Sequence, residues 1–270
     1  MKGFKAFGKG MICRGKHYKE NTVFEEEKAV ICTSGMHFCE NPLDVLDYYP
    51  LVDRNGNMVE VAEVEALGEC QTDDNKKYCT KKLKIGVKLS LASFVKAAIN
   101  FAFENTNGNA SAGNGAKLAR SGNGAKLASS GNYAKLASSG YGAKLASSGN
   151  YAQLASSGNG AQLASSGDGA KLASSGNGAK LASSGDGAKL ASSGDYAKLA
   201  SSGYGAVVSG IGKSNTAKGK KGSWLVLAEW GYNDIEEKYI PVSVKAAQID
   251  GAVIKEDTFY KLENGEFKEA

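Results

Sequence analysis

No window of the sequence approaches eighteen uninterrupted apolar residues, which excludes a membrane-spanning helix. The first residues, MKGFKAFGKG, also lack the apolar stretch that follows the positive residues of a signal peptide. Cysteine is scarce and confined: Cys13, Cys32, Cys39, Cys70 and Cys79 all fall in the first eighty residues, an odd number without paired spacing. Reduced thiols, rather than a disulfide framework, are therefore expected, and with them a cytoplasmic location. No Ser/His/Asp set, phosphate loop or metal-ligand cluster can be read from the chain, so a non-catalytic role without a cofactor is expected. The apolar fraction of 42% is slightly low because Gly, Ser and Asn crowd the middle, which argues against one large globular core.

What is present is first a division of charge. Residues 1–104 hold 15 basic and 15 acidic side chains, residues 105–222 hold 13 and 3, and residues 223–270 hold 5 and 10. The overall +5 thus conceals a basic middle and an acidic tail.

The middle is a repeat. Gly recurs every nine residues from Gly113 to Gly203, and Leu follows five places later from Leu118 to Leu199, with Val208 in the last copy. The unit reads Gly, Asn/Asp/Tyr, Gly/Tyr, Ala, Lys/Gln, Leu, Ala, Ser, Ser. So many Gly and Ser residues cannot sustain a helix, which leaves strands. Alternation within Ala-Lys-Leu-Ala turns Ala125 and Leu127 inward and Lys126 outward, giving a strand of three to four residues and then a turn. One strand per nine residues cannot enclose a core, so two units are predicted to form one coil of about eighteen residues. Stacked at about 4.8 Å, residues 105–212 then make six coils and a rod of roughly 29 Å.

Each buried Leu contributes roughly 1.5 to 3 kcal/mol, less than the cost of ordering nine residues at about 1 to 2 kcal/mol each. No unit can stand alone, and stability must come from stacking and from caps over the open ends.

The pattern resembles the nonapeptide β-roll of secreted calcium-binding repeat proteins, Gly-Gly-x-Gly-x-Asp-x-apolar-x, over residues 113–208. Aligned through the leucine, the position of the calcium-ligating Asp is Ala116, Ala125, Ala134, Ala143 and onward, so the resemblance implies the coil without the metal. Asp168, Asp186 and Asp195 stand where Asn is usual, and a ladder of side-chain amides is the role expected there.

The predicted fold is therefore mainly β: a narrow parallel β-solenoid at 105–212, an α+β head at 1–88, an amphipathic capping helix at 89–104, a basic loop at 213–222 and an antiparallel β cap at 223–270. The helix follows from apolar residues at 91, 94, 95, 98, 99 and 102, with Ser90 as N-cap, and packing on the head is the alternative to plugging the first coil. In the tail, Asn264-Gly265 marks a hairpin turn. In the head, Asn55-Gly56 marks another, and Asn41 and Pro42 begin a helix at about 41–48.

Two lysine ladders are expected on opposite faces, Lys126, Lys144, Lys180 and Lys198 on one, Lys117, Lys135, Lys171 and Lys189 on the other, interrupted by Gln162 and Gln153. Stacked like charges repel unless a polyanion such as nucleic acid relieves them, or they serve to keep exposed sheet faces from aggregating. Tyr133 and Tyr151 are expected one coil apart, with Tyr141, Tyr196 and Tyr204 in the same class of turn, either as a partner-binding surface or as tolerated replacements of Gly. Cys13, His17, Cys32, His37 and Cys39 are the conceivable metal ligands, yet their spacing fits small buried side chains better than zinc.

Gly35-Met36-His37-Phe38, with ENPLDVLDYY and VAEVEALGE after it, resembles the poly-ADP-ribose-polymerase type of ADP-ribosyltransferase. That likeness covers about thirty-five residues and implies a nucleotide site at His37, which stands for the family's tyrosine; the family's first-strand histidine has no counterpart in FKAFGKG, and no downstream catalytic glutamate can be assigned. Across all three regions the chain also resembles phage- and prophage-associated proteins that join such a head to Ser-Gly-x-x-Ala-x-Leu-Ala repeats and a WLVLAEW-type tail. The resulting expectation is a binding or scaffold protein with a protein partner, nucleic acid as an alternative partner along the lysines, and no membrane partner. The sequence leaves the oligomeric state unassigned.

Overall fold

In the computed structural model, which describes residues 1–53, 57–105, 110–111 and 113–270, each nine-residue unit contributes one four-residue strand such as Lys126–Ser129 or Lys135–Ser138. Successive strands alternate between two sheets. Each pairs in parallel with the strand eighteen residues on, so that Leu127 lies beside Leu145 in one sheet and Leu136 beside Leu154 in the other. The solenoid has about 6 turns spaced ~18 residues apart, as the sequence predicts. Between the sheets, Leu127, Leu136, Leu145 and their successors form one continuous core with the inward Ala125, Ala134 and Ala143. The alanines at the positions of the calcium-roll aspartate are thus packing residues.

Two features of the turn explain the glycine content. A Cβ added to Gly149 would lie 2.0 Å from the carbonyl oxygen of Gly131, because stacked turns approach too closely for any side chain. Two places later the backbone is left-handed, with φ of +65° at Gly142 and +68° at Gly160. The first constraint is steric and the second conformational.

The Asn/Asp position closes the turns. Asn132 Oδ1 accepts the Asn150 N–H at 2.9 Å, Asn150 accepts that of Asp168 at 3.0 Å, and Asp168 accepts that of Asp186 at 2.9 Å. The ladder therefore runs from side-chain oxygen to the backbone of the next coil, not from amide to amide. Asn and Asp serve equally because each offers an Oδ1 acceptor.

At the C-terminal end the strand Trp224–Asn233 continues the eight-stranded sheet in parallel with Val207–Gly210 and then pairs antiparallel with Lys238–Gln248. Thr216–Lys218, inside the segment expected as a basic loop, instead extends the nine-stranded sheet beside Lys198–Ser201. The hairpin of Tyr260–Glu263 and Glu266–Glu269 ends that sheet, turning at Asn264 and Gly265 with φ of +53° and +68°. Ile249, Ile254, Tyr260 and Leu262 join the solenoid core and shield its last leucines, which is what a cap must do. Pro241 on the outermost strand withholds a donor from the open edge.

The chain divides into units of residues 1–101 and 102–270, and the head makes up most of the first. Seven antiparallel strands run in the order Thr22–Glu25, Lys82–Leu89, Glu60–Ala66, Lys2–Phe7, Met36–Cys39, Lys77–Thr80, Cys70–Thr72. Phe7, Met36, Phe38, Val64, Leu83 and Ile85 form its core. The helix expected at 41–48 is a short 3-10 helix, Pro42–Asp47, with the Asn41 side chain capping the Leu43 N–H at 3.0 Å. Six residues starting on a proline leave no room for a run of i to i+4 bonds; Asp44 and Tyr48 bond three residues back instead. Val52 and Met58 form an antiparallel bridge, and the turn expected at Asn55-Gly56 lies outside the described residues.

The predicted amphipathic helix is present as Leu91–Asn105, with Ser90 Oγ accepting the Ser93 N–H at 3.1 Å and with Phe94, Val95, Ala98 and Ile99 buried. The boundary between the two units falls inside it, after Phe101. No helix of the described residues is long and apolar enough to cross a membrane.

Candidate functional site

The two lysine ladders differ. On the eight-stranded sheet Lys117, Lys135, Lys171 and Lys189 are exposed and share one register column, with Gln153 between the second and third. On the nine-stranded sheet Lys144 and Gln162 are buried and Lys126, Lys180 and Lys198 half-buried. Burial lowers the Lys180 pKa, and neighbouring Lys198 lowers it further. Only the first ladder is an open cationic face, which corrects the expectation of two.

Beside that column, two residues along each strand, Ala119, Ala137, Ala155, Ala173 and Ala191 form a shallow trough of about 860 Å³ edged by serines. Alternation places Lys and Ala on the outer surface while Leu and Ser turn in.

The tyrosines fall into two classes. Tyr133, Tyr151 and Tyr196 occupy the left-handed position usually held by Gly, with φ of +59°, +56° and +57°. Tyr141 and Tyr204 instead stand in the Asn/Asp position, so the five do not share one turn site. The Tyr133 and Tyr151 rings stack with centroids 5.3 Å apart and an interplanar angle of 12°. Tyr151 in turn lies over Gly169, where an added Cβ would sit 2.6 Å from the ring. Lys213 Nζ lies 5.7 Å from the Tyr196 ring centre and 3.8 Å from that of Tyr239.

In the head, a cleft of about 790 Å³ opens between the strands Lys2–Phe7 and Met36–Cys39 and the 3-10 helix. It gathers Cys13, Cys32, His37 and Cys39 from the expected set, whereas His17 is exposed and outside its lining. His37 Nε2 accepts the Cys32 N–H at 3.0 Å, which requires the neutral ring. Burial, followed by the charges of Lys5, Arg14 and Lys77, pushes the His37 pKa down to about 4.

Sequence reasoning missed Lys5. It shares a strand face with Gly3 and Phe7, and an ionisable residue on that apolar face is the signal that was available. Its Nζ donates to the His37 carbonyl at 2.9 Å and lies 5.3 Å from the Tyr18 ring centre. Burial lowers its pKa, while Cys13, Cys39 and Glu26 act in the opposite direction. Tyr49 Oη donates to Cys13 Sγ at 3.1 Å, and burial first, then that bond, raises the Tyr49 pKa. Lys77 Nζ donates to Cys32 Sγ at 2.9 Å across a separation no local motif reveals. Glu26 is held by Lys16 at 2.9 Å and by the Gly35 N–H at 3.0 Å.

A two-sheet parallel β-solenoid with a cleft-bearing antiparallel head is the class these features define. Within it, residues 1–97 match the model of a family described as a domain of unknown function (DUF7666), and every residue lining the head cleft lies inside that match. Comparison with curated proteins and with solved structures gave no match.

Proposed function

We propose that this chain is a non-catalytic binding or scaffold protein whose solenoid offers a flat cationic face to a protein partner with an acidic surface. The observation that carries the reading is the open column of Lys117, Lys135, Lys171 and Lys189 beside the alanine trough. Lysines one rung apart repel by about 1 kcal/mol per pair even in water, and an anionic surface laid along the column offsets that cost. The trough lets a partner approach the sheet without displacing large side chains. The resemblance to phage- and prophage-associated proteins supports a partner among bacterial host or defence components. The free thiols support a reducing, cytoplasmic setting.

The test is affinity capture from bacterial lysate followed by mass spectrometry, using wild type and the triple variant Lys135→Glu/Lys171→Glu/Lys189→Glu. A partner held by wild type and weakened at least about tenfold in a folded triple variant supports the proposal. Equal retention by both removes the ladder from the interface.

A second reading, an ADP-ribosyltransferase-like enzyme in the head, is supported by the position of His37 in a ligand-sized cleft. Nicotinamide release that His37→Ala abolishes would favour it over the scaffold reading. Sequence-independent nucleic-acid binding along the same open ladder is a third, and it requires gel-shift affinity that falls steeply with salt.

A further inference from the structure

We propose that Cys32 is a nucleophilic thiol of the head cleft that forms a mixed disulfide with a small anionic disulfide. The inference does not depend on what the solenoid binds.

Among the five free thiols Cys32 is exposed, Cys13 and Cys70 are half-buried, and Cys39 and Cys79 are buried. A thiol reacts as its thiolate, and an adjacent ammonium favours that form. Lys77 supplies the ammonium at 2.9 Å. Lys77 is itself positioned from a second side, with its Nζ 4.8 Å from the centre of the Tyr48 ring. The hydrogen bond to Cys32 raises the Lys77 pKa, so the cation persists at any physiological pH. The main chain beneath the sulfur is fixed as well, since His37 accepts the Cys32 N–H at 3.0 Å and Arg14 donates to the Cys32 carbonyl at 3.3 Å.

The surroundings define the co-reactant. Lys5, Arg14, Lys16 and Lys77 line the cleft against Glu26 and Asp47, and Glu26 is already paired with Lys16. The remaining field is cationic, and a volume of about 790 Å³ falls within the range of small-molecule sites. A compact disulfide bearing carboxylates fits both properties.

In the reaction, the Cys32 thiolate attacks one sulfur of the incoming disulfide. The old S–S bond breaks as the new one forms, and the departing thiolate takes up the proton that Cys32 released. Cys32 is oxidised to the mixed disulfide, and the departing half is reduced to a thiol. Lys77, no longer hydrogen-bonded to the Cys32 sulfur, is then available to a carboxylate of the attached group.

The experiment uses the full chain, glutathione disulfide as the anionic probe and bis(2-hydroxyethyl) disulfide as the neutral one, with peptide mapping by mass spectrometry over time. Cys32 is expected to be modified first and Cys32→Ser to lose that adduct, with wild type reacting faster with glutathione disulfide than with the neutral probe. Lys77→Met is expected to slow the neutral probe about threefold, because the ammonium beside the attacking sulfur is gone, and to slow the anionic probe more. Lys77→Arg should restore the preference. Circular dichroism confirms that the variants are folded. Equal labelling of Cys13 or Cys70, or a Lys77→Met rate unchanged with both probes, overturns the proposal.

Discussion

Asp168 Oδ1 accepts the backbone N–H of Asp186, one coil further on, at 2.9 Å. Asp186 Oδ1 in turn accepts the Tyr204 N–H at 2.8 Å, so two carboxylates in adjacent coils act as structural acceptors. Asp168→Asn keeps the acceptor and removes a like-charge neighbour, so its melting temperature is expected to equal or slightly exceed that of wild type. Asp168→Ala leaves the N–H without its partner and should cost about 1 kcal/mol. Calcium and a chelator are expected to leave the melting temperature of all three unchanged, which thermal scans check directly.

The two kinds of turn glycine should respond differently to the same substitution. At Gly178, with φ of +67° and open space where a Cβ would go, alanine meets only the left-handed penalty of about 1 to 2 kcal/mol. At Gly149, alanine would drive its Cβ to 2.0 Å from the Gly131 oxygen and force adjacent coils apart. Urea unfolding of Gly149→Ala is expected to show a loss of about 3 kcal/mol or more, and that of Gly178→Ala about half as much or less.

Tyr151 combines a cost and a gain of similar size. Its left-handed backbone costs about 1 to 2 kcal/mol, and stacking on Tyr133 returns about 0.5 to 1.5 kcal/mol. Tyr151→Gly removes both and should be nearly neutral. Tyr151→Ala removes only the gain and should destabilise by about 1 kcal/mol. A Tyr151→Gly variant much less stable than Tyr151→Ala would contradict the balance.

His37 makes the head sensitive to acid. Its pKa in the fold, about 4, lies below the unfolded value of 6.5, so the unfolded chain binds the proton first. The stabilisation is complete above pH 6.5 and is lost as pH falls through about 4. Protonation also ends the acceptance of the Cys32 N–H. Hydrogen-exchange protection of the strand Met36–Cys39 is expected to fall between pH 6.5 and 4 in wild type. His37→Gln, which retains an acceptor but does not titrate, should show a smaller fall.

The solenoid was legible because its signals are local and repeated. Leu127 and its successors fix which strand face is interior, the recurring Gly fixes the close approach of the turns, and Asn264-Gly265 fixes a hairpin. The same regularity hid the difference between the ladders. Lys135 and Lys144 sit in identical Lys-Leu-Ala-Ser strands, yet one is exposed and the other buried, a distinction no local pattern carries. Asn41 and Pro42 mark where the short helix begins, but neither fixes its length or its 3-10 winding. The head cleft was least legible. Lys5 meets the His37 carbonyl and Lys77 meets Cys32 only after distant strands have paired, so neither contact leaves a motif in the chain.

The two-strand coil of eighteen residues is tested most directly by deletion. Removing residues 149–166 takes out one whole coil, and removing residues 149–157 takes out half of one. The longer deletion is expected to keep the far-UV circular dichroism of a folded β protein and a single cooperative thermal transition. The shorter one turns the C-terminal cap onto the wrong sheet, and its transition should broaden or vanish. Equal stability of the two deletions would contradict the coil.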